Sequence, residues 1–254
     1  MTTAEELVAL GRTLGEHVRD LVILAEGNIS ARGDGSQMLV KASGCSMGAL
    51  GRDDILTVDR SVVMALVERE SVTDDDVASI YRSSVLDSTN RLPSVEAILH
   101  AVLYEDTDTQ VIAHTHPTAV NGILCSARPE LLVEGSLFPD QVVVLGRSQV
   151  MIPYTDPGVP LARAVRDGVR SFRDRWGQRP RVIYLVNHGL FALAQSCDEA
   201  VQITEMAVKA ARILHATLAA GGPQYLNDEN VDRIDRRPDE HYRRALLSGD
   251  PAEG

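Results

Sequence analysis

Two short strings constrain this chain most: VIAHTHPTAV at 111–120 and YLVNHGLFAL at 184–193. In the first, His114 and His116 stand two residues apart in an apolar run, and side chains at i and i+2 of a strand leave the same face. A fold built on that strand aims both imidazoles at one point. In the second, His188 follows the separate apolar run 182–186 and can bring a third imidazole to that point. Three neutral nitrogens with a fourth position open is how a catalytic divalent ion is held, because substrate must displace water. A lone histidine in such a setting is more often structural. The threefold pattern turns the reading toward a metal site.

Composition narrows the class. The chain has 254 residues, 44% hydrophobic and 24% charged, with no internal repeat or low-complexity linker, so it is read as one domain with a sizeable core. A net charge of −11 and only 4% aromatics argue against nucleic acid or an anionic membrane as partner. No apolar run approaches the roughly 20 residues that span a bilayer. The opening MTTAEELVAL has early acids and no basic segment ahead of an apolar one, so no secretory leader is expected. Cys45, Cys125 and Cys197 are odd in number and scattered, which suits the reduced thiols of a cytoplasmic protein.

Periodicity predicts helices over 4–18, 73–86, 92–104, 118–125, 160–172 and 198–218, and strands over 38–42, 111–116, 142–145, 150–152, 182–186 and 190–194. Residues 26–35, rich in glycine and polar groups, read as a turn. In 92–104 Pro93 suits a first turn, and Val95, Ile98, Leu99 and Val102 form the apolar stripe. The elements mix without strict βαβ alternation. Residues 227–254 are polar and read as an arm or a small helix.

Four features occur in order: AEGNISAR at 25–32, KASG at 41–44, LPSVEAILH at 92–100 and the two histidine strings. Together they resemble the class II aldolase/adducin family, from about residue 7 to 218. The resemblance implies an α/β fold: a three-layer α/β/α single domain around a mostly antiparallel mixed central sheet, covering 1–225, with a polar extension over 226–254. It implies a C4-type homotetramer with active sites between subunits. It also implies a divalent metal, zinc first and manganese or cobalt as alternatives, held by His114, His116 and His188. Glu96 matches the acidic residue that approaches the metal and transfers protons. Gly27, Asn28, Ser43, Gly44 and Ser94 match the pocket that grips the phosphate of the small-molecule substrate in sugar-phosphate members, with Lys41 adding charge nearby. His100, four residues beyond Glu96, is expected to pack or hydrogen-bond and not to ligate.

Each of these residues has a plainer reading. Glu96 is also a first-turn carboxylate favouring a helix dipole, and Gly27-Asn28 is an ordinary loop dipeptide. Two departures from the family pattern matter. Val95 stands where a second hydroxyl residue is usual, which weakens the grip on a phosphate. The stretch 135–146, GSLFPDQVVVLG, has no tyrosine to protonate a leaving aldehyde; Phe138 and Asp140 are the nearest residues, and Tyr154, Tyr225 and Tyr242 lie elsewhere. The resemblance implies a metal-dependent lyase working through a stabilised enolate, an aldolase first. A decarboxylase of an oxo-acid or hydroxylated aromatic acid is the alternative. A non-catalytic adducin-like scaffold is the reading from another class, against which the retained histidines and Glu96 argue.

Overall fold

A seven-stranded sheet separates two apolar cores. The structure, a computed structural model, describes residues 2–237. From the N-terminus it runs α1 (Ala4–Leu14), β1 (Asn28–Arg32), β2 (Gln37–Lys41), β3 (Ile55–Asp59), α2 (Arg60–Glu68), α3 (Asp74–Ser84) and α4 (Ala97–Asp106). It continues through β4 (Val111–Thr115), α5 (Thr118–Leu124), α6 (Pro139–Leu145), β5 (Val150–Ile152) and α7 (Val159–Trp176). Then come β6 (Val182–Leu185), β7 (Gly189–Ala194), α8 (Cys197–Ala219) and α9 (Asp228–Asp235).

The strand order is β3-β2-β1-β4-β7-β6-β5, antiparallel throughout except for the parallel β5–β6 pair. Helices α1, α5 and α8 bury Leu7, Leu14, Ile123 and Ile203 against one face of the sheet. Helices α2, α4 and α7 bury Leu66, Leu99, Val102 and Val165 against the other. Each fully buried aliphatic side chain contributes about 1.5–3 kcal/mol, so the two cores hold the sheet rigid. This is the three-layer α/β/α architecture with a mostly antiparallel mixed sheet that the resemblance implied.

Several expected elements differ. The segment 26–35 is not only a turn: β1 lies inside it. Its odd residues Ile29 and Ala31 enter the α1/α8 core, while Asn28 and Ser30 are buried on the other face and Arg32 bonds carbonyls of the segment after α4. That buried face is hydrogen-bonded instead of apolar, so it imitates a loop in composition. The helix expected from residue 92 begins at Ala97. Ahead of it Pro93 bridges Ala42, and Ser94 N–H donates to the Lys41 carbonyl at 2.9 Å, prolonging the exit of β2. The strand expected at 142–145 is the end of helix α6, opened by Pro139 and stopped at Gly146, whose φ is +82°. Four apolar residues cannot by themselves tell a buried strand from a buried helix.

The first helix ends at Leu14, not 18, with Gly15 as its cap residue; Gly15 lies against Gly48, whose backbone nitrogen would sit 2.2 Å from a Cβ there. No element was expected over 55–68, where β3 runs directly into α2 at the cap residue Asp59, which accepts from Ser61 N–H at 2.9 Å. Beyond α8, α9 places Val231 and Ile234 against Val142 and Val143 of α6. The rest of the expected polar extension, 238–254 with Tyr242, lies outside the described residues.

Candidate metal centre

Strand β4 and its neighbours build the site. The antiparallel register sets Asn28 of β1, His114 of β4 and Phe191 of β7 in one row across the sheet. His114 stacks on the Phe191 ring at 4.2 Å between centroids and 21° between planes, and is fully buried. Its Nδ1–H donates to the Leu190 carbonyl at 2.9 Å, which leaves the Nε2 lone pair facing the site. His116, just past the strand, packs edge-on over Gly189: a Cβ at that glycine would meet its Cδ2 at 2.7 Å. His188 comes from the turn between β6 and β7, where Asn187 takes φ +59° and the Asn121 amide donates to the His188 carbonyl at 2.9 Å.

The three histidines offer one nitrogen each, all within 4.8 Å of one another. Nε2 of His116 lies 2.9 Å from Nε2 of His114. Burial first, then the neighbouring imidazoles, push the pKa values of His114 and His116 down to about 4. Both rings are therefore neutral at physiological pH, with lone pairs available to a cation. Clustered neutral imidazoles, one with its tautomer set by a backbone carbonyl, fit a borderline divalent ion.

Glu96 completes the cluster. It occupies the N-cap position of α4, with its carboxylate 3.3 Å from His114 Nε2 through Oε2 and 3.1 Å from His188 Nε2 through Oε1. Burial works to raise its pKa, but His114, His188 and His116 together hold it well below the usual carboxylate range. The Asn28 side-chain amide donates to Oε2 at 2.6 Å. Glu96 is thus an ionised, mostly buried carboxylate beside the three imidazoles.

The surroundings of the other expected residues are as follows. Gly27, at φ +68°, lets the chain pass 2.7 Å from the His114 carbonyl, measured to the Cβ a larger residue would carry. Ser43 N–H donates to the Leu92 carbonyl at 2.9 Å, which draws the 43–44 turn to the segment carrying Ser94. Ser94 accepts from Glu96 N–H at 3.3 Å, and Gly44, at φ +76°, has open space where a side chain would project. Lys41 is 2% exposed, donates to the Cys45 carbonyl at 2.7 Å and has its pKa lowered by burial. His100 is buried and bonds Ser30 and Asn28. Tyr225 donates to the Leu131 carbonyl at 2.7 Å, whereas Tyr154 is 61% exposed and shares a cavity of about 240 Å³ with His188.

The profile of the Class II Aldolase and Adducin N-terminal domain matches residues 5–215. The chain belongs to the class II aldolase/adducin family. A 3-oxo-tetronate 4-phosphate decarboxylase of Haemophilus influenzae is 28% identical over 242 residues, covering 92% of this chain and 96% of that protein. The uncharacterized oxidoreductase YuxG of Bacillus subtilis is 24% identical over 75% of this chain, but the match spans only 24% of YuxG. An L-fuculose 1-phosphate aldolase has the same fold, with a TM-score of 0.70 and 22% identity over 92% of this chain and 96% of that one. Class II aldolases are metal-dependent lyases, a decarboxylase among them.

Sequence reasoning missed Phe191 and Gly189, which lie against His114 and His116, and it missed both side-chain partners of Asn28, Glu96 and His100. Phe191 and Gly189 stand within five residues of His188 in the YLVNHGLFAL string, and only the structure shows that Phe191 pairs with His114 and that Gly189 lies against His116.

Proposed function

We propose that the protein is a divalent-metal-dependent carbon–carbon lyase acting on a small hydroxy-carbonyl substrate with an anionic end. The observation that carries this reading is the convergence of His114, His116 and His188 with the Glu96 carboxylate. A divalent ion held there supplies stabilisation for negative charge developing on adjacent substrate oxygens. Zinc is the first choice. Glu96 takes a proton from substrate or returns one to the carbon left carrying the electron pair, and its burial keeps water from competing. The open turn at Gly44, Ser94 at the foot of α4 and the buried cation of Lys41 support an anion subsite; Gly27, Asn28 and Ser43 complete it in this proposal. Val95, 69% exposed beside Glu96, adds no hydroxyl to that grip.

Aldol cleavage is the primary reading. Decarboxylation is the second, favoured by the similarity along 92% of the chain to a 3-oxo-tetronate 4-phosphate decarboxylase and by the lack of tyrosine in 135–146. Loss of carbon dioxide needs no proton donor for a leaving aldehyde. A homotetramer with sites at subunit boundaries is part of the proposal, supported by exposed Val18, Leu24 and Val95 at 87%, 84% and 69%. So is a cytoplasmic location, supported by the free thiols; among the described residues no helix is long and apolar enough to cross a membrane. The catalytic unit is taken as 1–225 and the extension as 226–254.

The test loads the protein with zinc, manganese or cobalt and offers L-fuculose 1-phosphate and 3-oxo-tetronate 4-phosphate, reading aldehyde and carbon dioxide separately. Glu96→Gln should keep the metal and lose turnover by about 10²–10⁴-fold. Turnover unchanged in that variant would remove Glu96 from the chemistry.

A further inference from the structure

A line of buried polar groups leads from the interior to Glu96. The Tyr104 hydroxyl lies 2.8 Å from Ser30 Oγ, and Ser30 Oγ lies 2.6 Å from His100 Nδ1. His100 Nε2 meets Asn28 Oδ1, and Asn28 Nδ2 meets Glu96 Oε2 at 2.6 Å. Exposures are 1%, 0%, 0% and 1% for Tyr104, Ser30, His100 and Asn28, so water does not substitute for any of these partners.

The direction of every hydrogen in this line follows from the Asn28 amide, whose nitrogen faces Glu96 Oε2 and whose oxygen faces His100 Nε2. That oxygen only accepts, so His100 Nε2 must carry the hydrogen. A neutral imidazole has only one, so Nδ1 is bare and accepts the Ser30 hydroxyl hydrogen. Ser30 then accepts from Tyr104. Burial holds His100 neutral, with its pKa pushed down to about 4, and pushes the Tyr104 phenol up, so neither end supplies or loses a proton at neutral pH. Reversing any one link sets two acceptors or two donors face to face in the dry interior.

We propose that His100 is a positioning residue for the lyase reaction: through a one-way chain from Tyr104 and Ser30 it locks the Asn28 amide so that it pins Glu96 Oε2. Glu96 Oε1 is thereby the oxygen that faces His188 and exchanges the proton with substrate carbon. The C–H bond breaks, the O–H bond forms on Oε1 and the electron pair stays on the substrate. This rests on the reading of Glu96 as the proton-transfer group. The orientation of Asn28 and the tautomer of His100 do not depend on any substrate.

The experiment is long-range ¹H–¹⁵N correlation on the metal-free protein, with His100→Gln and His100→Leu beside wild type. Wild type should show His100 protonated at Nε2 and bare at Nδ1, and the Asn28 side-chain amide slow to exchange with solvent. Gln places an amide NH₂ near the former Nε2 and should keep the Asn28 signal; Leu should lose it. With zinc and the better of the two sugar-acid and sugar phosphates named above, His100→Leu should lower kcat about tenfold with metal content unchanged, and His100→Gln should restore most of it. A His100 protonated at Nδ1, or an Asn28 amide unchanged in His100→Leu, would overturn the chain. If the correlations hold while Glu96→Gln turns over normally, the reading of Glu96 fails and the hydrogen-bond direction stands.

Discussion

Acidifying the metal-free protein should expose the cost of keeping His100 neutral. Burial is the main cause that moves its pKa from the ordinary 6.5 to about 4, with the Glu96 charge opposing it. Between those values the unfolded chain binds a proton at this position that the native chain does not. Stability is therefore fully present above about pH 6.5 and is lost as the pH falls toward 4. At about 1.36 kcal/mol per unit, the difference amounts to about 3 kcal/mol from this one side chain. That is a large share of the roughly 5–15 kcal/mol by which ordinary proteins are folded. Urea unfolding followed by the fluorescence of Trp176, the chain's one tryptophan, at pH 7, 5.5 and 4.5 reads the loss directly. His100→Gln cannot titrate, so its stability should fall less over the same window, by about 2–3 kcal/mol, whatever its stability at pH 7. Parallel pH profiles for wild type and variant would show that His100 titrates alike folded and unfolded, and the argument from its burial would fail.

Three further outcomes follow from the site's supports. Phe191→Ala should cost about 3–5 kcal/mol in unfolding free energy, since the ring is fully buried, and should weaken zinc binding by freeing His114. Gly189→Ala should lower zinc affinity about 10–100-fold in a chelator competition, because the new methyl group displaces His116 and the Thr115 carbonyl. Inorganic phosphate should inhibit turnover only weakly if Val95 marks a loosened phosphate grip; strong competitive inhibition would contradict that.

What was legible in the sequence, and what was not, divides by the range of the interaction. His114 and His116 are two residues apart, so the period of a strand alone brings them to one face, and the structure does so. The α8 helix and the strands at 111–115 and 189–194 carry long apolar runs or stripes and read correctly to within a residue or two. Strand β1 did not read as a strand because its inner face is polar. Asn28 and Ser30 are acceptable there only because their partners Glu96, His100 and Tyr104 wait 68 to 74 residues away. The start of α4 differs from the expected one for a related reason: Pro93 and Ser94 pair with the end of β2, a long-range contact overriding a good helix-opening pattern. In 142–145 the apolar run is legible but its period is not, and Pro139, three residues earlier, is the helix signal.

The central claim is that His114, His116 and His188 hold a catalytic divalent ion, and elemental analysis of protein purified without a histidine tag tests it most directly. The account predicts about one zinc, manganese or cobalt ion per chain, lost in His114→Ala while His100→Gln retains it. A folded protein that carries none of these ions and takes up none on dialysis against each would contradict it.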